Sequence, residues 1–491
     1  MKSKFSKVLS ILLSIVLVIS SFYLLYQVIR LNVLPSKFLF PLTIGVVVLD
    51  AIFILLLIYF SRNVVSKIIC IILTLFICLA SCMGGYYISK TQGALSNITS
   101  VAKHAKNTVS VIVKESSSIK NKSQLNGVSV GTLRLNEQGS KKALKELSSE
   151  GIVLNQTEYD SMTALLEAFY NGEVDSIIIN ESSRSQILDM EAYSNFDSNT
   201  RVVYQTSYKV KNNDSASSVS DITSKPFNVL ISGSDSRGGF DENGRSDVIM
   251  VATVNPKSHT ILLTSVPRDF YVTTACDAGD GCMQGALDKI THTGIHGTNT
   301  TKRTVEQLLG IEINYTFKVG FDTVTELVDV LGGVDVYVEP GYATTTSEFS
   351  VHEGVNHLNA QQALAFARER YSYTEGDRQR TKNQQQVLMG IVKEATKPSV
   401  ITNYAAIMDT MANTFSTTMS NEEITALIKY QLNNNPTWKM EQYMVDGTGD
   451  TLMCAELGDA ASVMVPDQST VKLAKDKINA VLAGKSSEDV K

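Results

Sequence analysis

Three apolar runs, each bounded by basic residues, open the chain. They cover residues 8–29 between Lys7 and Arg30, 38–61 between Lys37 and Arg62, and 68–89 between Lys67 and Lys90. Each is 22 to 24 residues long, enough to cross a hydrocarbon core of about 30 Å. The pattern predicts a membrane anchor of three transmembrane helices over residues 1–90. A cleaved signal peptide is the alternative for the first run, but two more runs follow it and no small-residue cleavage site is visible. Lys2, Lys4, Lys7, Arg62 and Lys67 fall on one side of the membrane, Arg30 and Lys37 on the other. The positive-inside rule then places the N-terminus in the cytoplasm and residues 91–491 outside the cell. Asp50 lies mid-span, where a carboxylate is a functional suspect; a protonated side chain bonded to a neighbouring hydroxyl is the simpler expectation.

After the anchor the pattern changes. Short apolar segments at 109–113, 127–131, 152–154 and 175–180 read as strands, with helices at 137–149 and 161–170 between them. This order is that of a small α/β accessory domain over residues 91–220. It resembles one lobe of an extracellular solute-binding protein. A lone lobe lacks the second wall of a ligand cleft, so docking or spacing is the expected role. Residues 211–225 are polar and serine-rich and read as a linker.

Strands at 227–231, 248–254 and 260–266 follow, each leading into a turn with charged residues. They place Asp235, Arg245, Asp247 and Arg268 near strand ends, where α/β folds bind ligands. Residues 359–370 read as a helix capped by Asn359, with Ala363, Phe366 and Ala367 as its apolar stripe. A polar helix at 381–393 carries Gln384, Gln385 and Gln386. Gly332 and Gly333 stop a helix ending at 331 and lead into a strand at 334–338.

Charge divides the same way. Of 44 basic and 49 acidic residues, eight Lys/Arg and one acid, Asp50, lie in 1–90, which leaves the rest of the chain at −12. So acidic a segment is a poor general binder of nucleic acid. Cys70, Cys78 and Cys82 lie in an apolar run and act as fillers. Cys276 and Cys282 share a Gly/Asp-rich loop; an extracellular location permits a disulfide between them, but spacing alone does not decide it. No zinc-binding CxxC pairs, HExxH, GxSxG or P-loop signature occurs.

Arginine placement is the most telling feature. Seven of 13 arginines fall in residues 237–268 and 368–380, windows that contain a single lysine, Lys257. A solvated surface mixes the two residue types, whereas planar, bidentate arginine suits phosphate or carboxylate. Asp235 and Asp247 beside them suit a hard cation such as Mg²⁺ bridging phosphate oxygens. A surface ion-pair network is the competing reading, and it is the expected one for Asp269 and Arg378.

The segments NVLISGSDSRGG, GRSDVIMVATVNP, LLTSVPRDFYV, ELVDVLGGVDVYV, LNAQQALAFARER and GDRQRTKNQQQVL, in this order over about residues 226–390, resemble the LytR–CpsA–Psr family of cell-envelope phosphotransferases. Three spans and a small accessory domain fit its CpsA-like members. The resemblance implies an α/β chain with an αβα-sandwich catalytic domain over 221–485 and a short C-terminal tail at 486–491. It implies transfer of a capsular or other anionic polysaccharide from a polyprenyl pyrophosphate carrier to peptidoglycan, with membrane, lipid-linked glycan, peptidoglycan and other capsule-assembly proteins as partners. By the same resemblance Arg245, Arg268, Arg368, Arg370 and Arg380 grip the pyrophosphate with Gln384 as a further donor, and Asp235 and Asp247 hold Mg²⁺. Arg268 and Asp377 stand at the chemistry; Asp377 orients or deprotonates the attacking hydroxyl, or fixes Arg380. The lipid tail enters an apolar groove between sheet and helices. The segment DKITHTGIHG departs from the family's commoner Ala/Gly-rich stretch; its His292 and His296 read as polar loop residues. Competing readings are a non-catalytic lipid-glycan sensor or adaptor, a transcriptional regulator (the family's older label), and pyrophosphate hydrolysis with water as acceptor.

Overall fold

The computed structural model describes residues 2–60, 64–101, 104–134, 137–211, 214–234, 242–276, 281–397 and 400–491. The chain forms two compact units, one of residues 1–97, 395–412 and 420–436, the other of 98–394, 413–419 and 437–491.

In the first unit, the helices Lys2–Leu31, Ser36–Leu55 and Val64–Val101 contain three stretches long and apolar enough to cross a membrane. The third helix, at 38 residues, extends well beyond the run read from hydropathy. Ser21 Oγ donates to Asp50 Oδ1 at 2.9 Å, so the mid-span carboxylate has the hydroxyl partner expected of it. Two later helices, Val400–Thr414 and Asn421–Asn434, belong largely to this unit. Lys90 pairs with Asp409 at 2.9 Å, and Lys37 Nζ donates to the Asn433 carbonyl at 2.6 Å.

The second unit contains two sheets. The smaller has the strand order Asn155–Tyr159, Ser129–Leu133, Ser176–Asn180, His104–Lys114, Thr200–Lys211. The first three are parallel, and the two long strands pair antiparallel. Side chains alternate between faces along Ser176–Asn180: Ile177 and Ile179 join one apolar cluster and Ile178 the other, as strand geometry requires. Helix Met162–Asn171 starts where Ser161 Oγ accepts from the Ala164 N–H at 3.1 Å, and stops at Gly172 in the left-handed region. The structure corrects the strand expected at 152–154. Ile152 packs into the core from a loop, and the strand is the following Asn155–Tyr159. That strand lies at the sheet edge with four of its five residues exposed, so it has no apolar run to betray it.

The larger sheet has six strands in the order Phe415–Thr417, Tyr315–Gly320, Phe227–Ser234, Ser246–Asn255, Thr260–Ser265, Lys439–Met444. Its three central strands are antiparallel, and Tyr315–Gly320 and Lys439–Met444 add in parallel. One face is sealed by helices Thr298–Leu309 and Gln468–Leu482 through Leu230, Ile249, Val251 and Leu262. Helices Ala360–Arg368 and Asp377–Ala395 lie over the other face. This is a three-layer αβα arrangement. The 211–225 segment does not swing free: the Ser217 N–H donates to the Asn314 carbonyl at 2.9 Å and Ile222 is buried. Residues 486–491 also depart from a loose tail. Ser487 is buried, and its N–H donates to Glu441 at 2.7 Å.

Candidate functional site

The strand Ser246–Asn255 begins with buried backbone and sends Asp247 out at its start. Strand Thr260–Ser265 ends three residues before Arg268. Arg268 Nη1 donates to Asp247 Oδ1 at 3.0 Å, and Thr291 Oγ1 donates to the same oxygen at 3.2 Å. Arg245 Nη2 lies 4.0 Å from Asp247 Oδ2. The other side of Arg268 faces Asp269, at 3.8 Å, and Lys289 reaches Asp269 at 3.1 Å.

Helix Asp377–Ala395 begins earlier than its apolar pattern suggests and carries Asp377 and Arg380 in its first turn, where the two side chains pair. Burial works against the Arg268 charge, but Asp247, Asp269 and Asp377 together outweigh it and raise its pKa above the ordinary arginine value. Burial lowers the Arg380 pKa; Asp377 opposes the shift, while Arg268 and Arg370 add to it. These mutual influences place Asp247, Arg268, Arg370, Asp377 and Arg380 in one cluster. Two of its donors, Arg268 Nε and Arg380 Nε, are buried and make no hydrogen bond.

Helix Ala360–Arg368 opens with a capping box in which Asn359 and Gln362 satisfy each other's backbone N–H groups. The helix ends at Arg368, so Arg370 sits on the loop beyond, with its guanidinium 4.7 Å from the Tyr371 ring centroid. The two arginines serve different cavities. Arg370 lines a polar cleft of 280 Å³ with Arg245, Arg268, Asp269, Lys289 and Thr291. Arg368 and Gln384 instead border a groove of 90 Å³ between the sheet and the overlying helices, otherwise lined mainly by apolar side chains such as Ile231, Met250, Leu364, Val387 and Ile391. Strand Ser246–Asn255 contributes Val248 and Met250 to the groove, and Arg245, just before it, lines the cleft. The structure thus separates the residues expected to grip one pyrophosphate into a polar group and a pair at the mouth of an apolar groove.

Asp235 lies outside the described residues. Among the described residues no three His, Cys, Asp or Glu side chains gather as a metal cage. Mg²⁺ needs only one or two carboxylates when phosphate oxygens complete its shell, and Asp247 is a carboxylate of that kind.

Asp269 is ion-paired as expected, with Lys289 at 3.1 Å and Arg268 at 3.8 Å, and it also lines the cleft; Arg378 pairs at the surface, with Asp446 at 2.6 Å. His292 and His296 are not polar loop residues: they lie on the short 3₁₀ turn Ile290–His296, with His292 Nδ1 2.7 Å from Asp288 and His296 Nε2 2.9 Å from Glu456. Gly294 on this turn is packed so closely that a Cβ would come within 2.5 Å of the Gly244 carbonyl oxygen and of Ser246 Oγ. The divergent segment is therefore wedged against the strand that presents Asp247. Cys276 and Cys282 are joined as a disulfide.

Sequence reasoning did not find Lys289, Thr291, Gln186 or Asp189, all of which border the cleft. Lys289 and Thr291 sit within the divergent segment, which offered a signal. Gln186 and Asp189 come from the accessory domain and have no local signature.

The LytR_cpsA_psr family model matches residues 192–480. The polyisoprenyl-teichoic acid–peptidoglycan teichoic acid transferase TagU of Bacillus cereus is 31% identical over 236 residues, covering 48% of this chain and 74% of that protein. TagU of Bacillus subtilis is 34% identical over 196 residues, covering 40% of this chain and 60% of that protein. The crystal structure of Bacillus subtilis TagU superposes with a TM-score of 0.41 at 28% identity, over 52% of this chain and 97% of that one. A family match over more than half of the chain, together with the TagU relatives, shows that the chain belongs to the LytR_cpsA_psr family.

Proposed function

We propose that the protein transfers an anionic glycopolymer from a polyprenyl pyrophosphate carrier to peptidoglycan on the outer face of the membrane. The observation that carries this reading is the arginine cluster itself. Two buried guanidinium N–H groups, on Arg268 and Arg380, have no hydrogen-bond partner. Buried donors left unmade cost about 1–3 kcal/mol each, and a diphosphate offers the acceptors. The adjoining apolar groove suits the start of a lipid tail, and three membrane-length helices suit a lipid-linked substrate. The relatives named as teichoic acid transferases support the same class of cargo; capsule is the cargo expected here.

In this reading an acceptor hydroxyl of peptidoglycan attacks the sugar-bearing phosphorus. A new P–O bond forms, the bond to the bridging oxygen breaks, and the electron pair leaves on polyprenyl phosphate. The hydroxyl proton passes to a phosphate oxygen or water. Arg245, Arg268 and Arg370 orient the diphosphate and neutralise the charge that builds on the leaving phosphate. Arg368 and Gln384 hold the lipid-side phosphate at the groove mouth. Asp377 is a positioning residue that fixes Arg380. Asp247, with Asp235, would hold Mg²⁺, which would supply charge neutralisation at the phosphate oxygens.

The test replaces Arg268 and Asp247 separately by Ala, in a strain without other family members and at matched membrane levels of protein. The fraction of polysaccharide covalently bound to peptidoglycan is expected to fall at least about a hundredfold, with lipid-linked or released glycan rising. Unchanged attachment would sink the transferase and favour an adaptor.

A further inference from the structure

The small α/β domain does more than stand beside the cleft. Its short helix Arg184–Asp189 is fixed by three ion-pair contacts. Arg184 Nε and Nη2 donate to the two oxygens of Glu181 at 2.6 and 2.8 Å, and Nη1 donates to Asp197 at 2.9 Å. Ile187 anchors the same helix in the domain's apolar core. Gln186 and Asp189, three residues apart, share a face, and both line the polar cleft with Arg245, Arg268 and Arg370. Asp189 pairs with Arg245 directly. The domain is docked at further points: Thr163 donates through N and Oγ1 to the Leu457 carbonyl at 3.2 and 3.1 Å, and Lys106 lies 3.6 Å from Glu242.

Gln186 is the unusual member. It is 2% exposed, yet its Nε2 and Oε1 both lack a hydrogen-bond partner. A buried carboxamide is almost always satisfied in a folded protein. One that is not, on a rigid helix facing a cleft, is matched to a ligand carrying both donors and acceptors. Phosphate supplies only acceptors, and the arginines already serve it. A sugar ring, with hydroxyl or acetamido groups, supplies both.

We propose that the accessory domain completes the cleft as a sugar subsite, in which Gln186 hydrogen-bonds a pyranose of the donor or of the acceptor glycan. This rests on the diphosphate reading of the arginine cluster and adds to it the part that recognises the glycan.

The test uses the full-length protein in detergent micelles, with two probes: a polyprenyl pyrophosphate carrying one N-acetylhexosamine, and the same lipid pyrophosphate without sugar. Gln186→Leu, close in size, is expected to weaken binding of the sugar-bearing lipid about tenfold and leave the bare lipid within about twofold. A selective rise in KM for a peptidoglycan fragment, with both lipids bound normally, assigns the subsite to the acceptor. The ligand-free melting temperature of Gln186→Leu should be equal or higher, because an unsatisfied buried amide is lost. Equal effects on both lipids, no effect in either arm, or a lower melting temperature relieved by Gln186→Glu overturns the proposal. Arg268→Ala reports separately on the parent reading, since it should weaken both lipids; a wild-type protein that binds neither refutes the diphosphate site and the sugar subsite with it.

Discussion

Arg268 touches Asp247 and Asp269, and its planar fork suits that geometry in a way an ammonium does not. Arg268→Lys is therefore expected to restore less than about a tenth of wild-type glycan attachment, measured beside Arg268→Ala. Asp377 pairs with Arg380, which favours the positioning role proposed for it. Asp377→Asn should lower kcat without moving the pH profile, whereas a general base would remove its acidic limb. Gly294 permits no side chain. Gly294→Ala should destabilise the protein by about 1–3 kcal/mol, read as a lower melting temperature, and reduce transfer by displacing the strand that holds Asp247. Asp214 offers a test by pH. Burial, helped by Glu306 and opposed by Thr316 and Lys302, raises its pKa from 3.8 to about 6. The folded state then holds the proton more tightly than the unfolded one, so stability falls as pH rises from about 4 through 6. Asp214→Asn should stabilise the protein at pH 7 by roughly 1–3 kcal/mol and give no gain at pH 4, in paired thermal melts. At this scale the arginines were legible because their type and clustering are local. Which cavity Arg368 and Arg370 each serve was not, since it depends on a helix ending between them.

Elements built on apolar periodicity were readable, including the helix over 137–149, the helix stopped by Gly332 with the strand at 334–338 after it, and the helix capped by Asn359. Elements at sheet edges were not. Asn155–Tyr159 is polar because it lies at the rim, and Lys439–Met444 alternates too weakly to stand out. Helix Asp377–Ala395 begins four residues ahead of the expected start at 381, and these polar residues depend for their helical state on the layer beneath them. The groove under this helix makes its own prediction. Ala367 borders it, and Ala367→Phe should occupy the space the lipid requires. Binding of a polyprenyl pyrophosphate should fall about tenfold or more, while inorganic pyrophosphate, having no tail, should compete for the arginines as before.

At the scale of the molecule, hydropathy alone located three membrane-length segments, and charge separated them from the acidic remainder. What the sequence could not convey is that the accessory sheet shares a compact unit with the larger one, while residues 395–412 and 420–436 group with the membrane helices. Both depend on contacts between residues far apart in the chain. The same long-range character governs how the protein is made. Strand Lys439–Met444 completes the larger sheet beside Thr260–Ser265, and helix Gln468–Leu482 seals its core. Until these late residues are synthesised, Leu230, Val251 and Leu262 have no cover, and the nascent domain waits as an open intermediate exposed to proteases. A stop codon at position 467 would yield not a weaker transferase but a short-lived polypeptide, whose decay a pulse-chase experiment would register within minutes of synthesis.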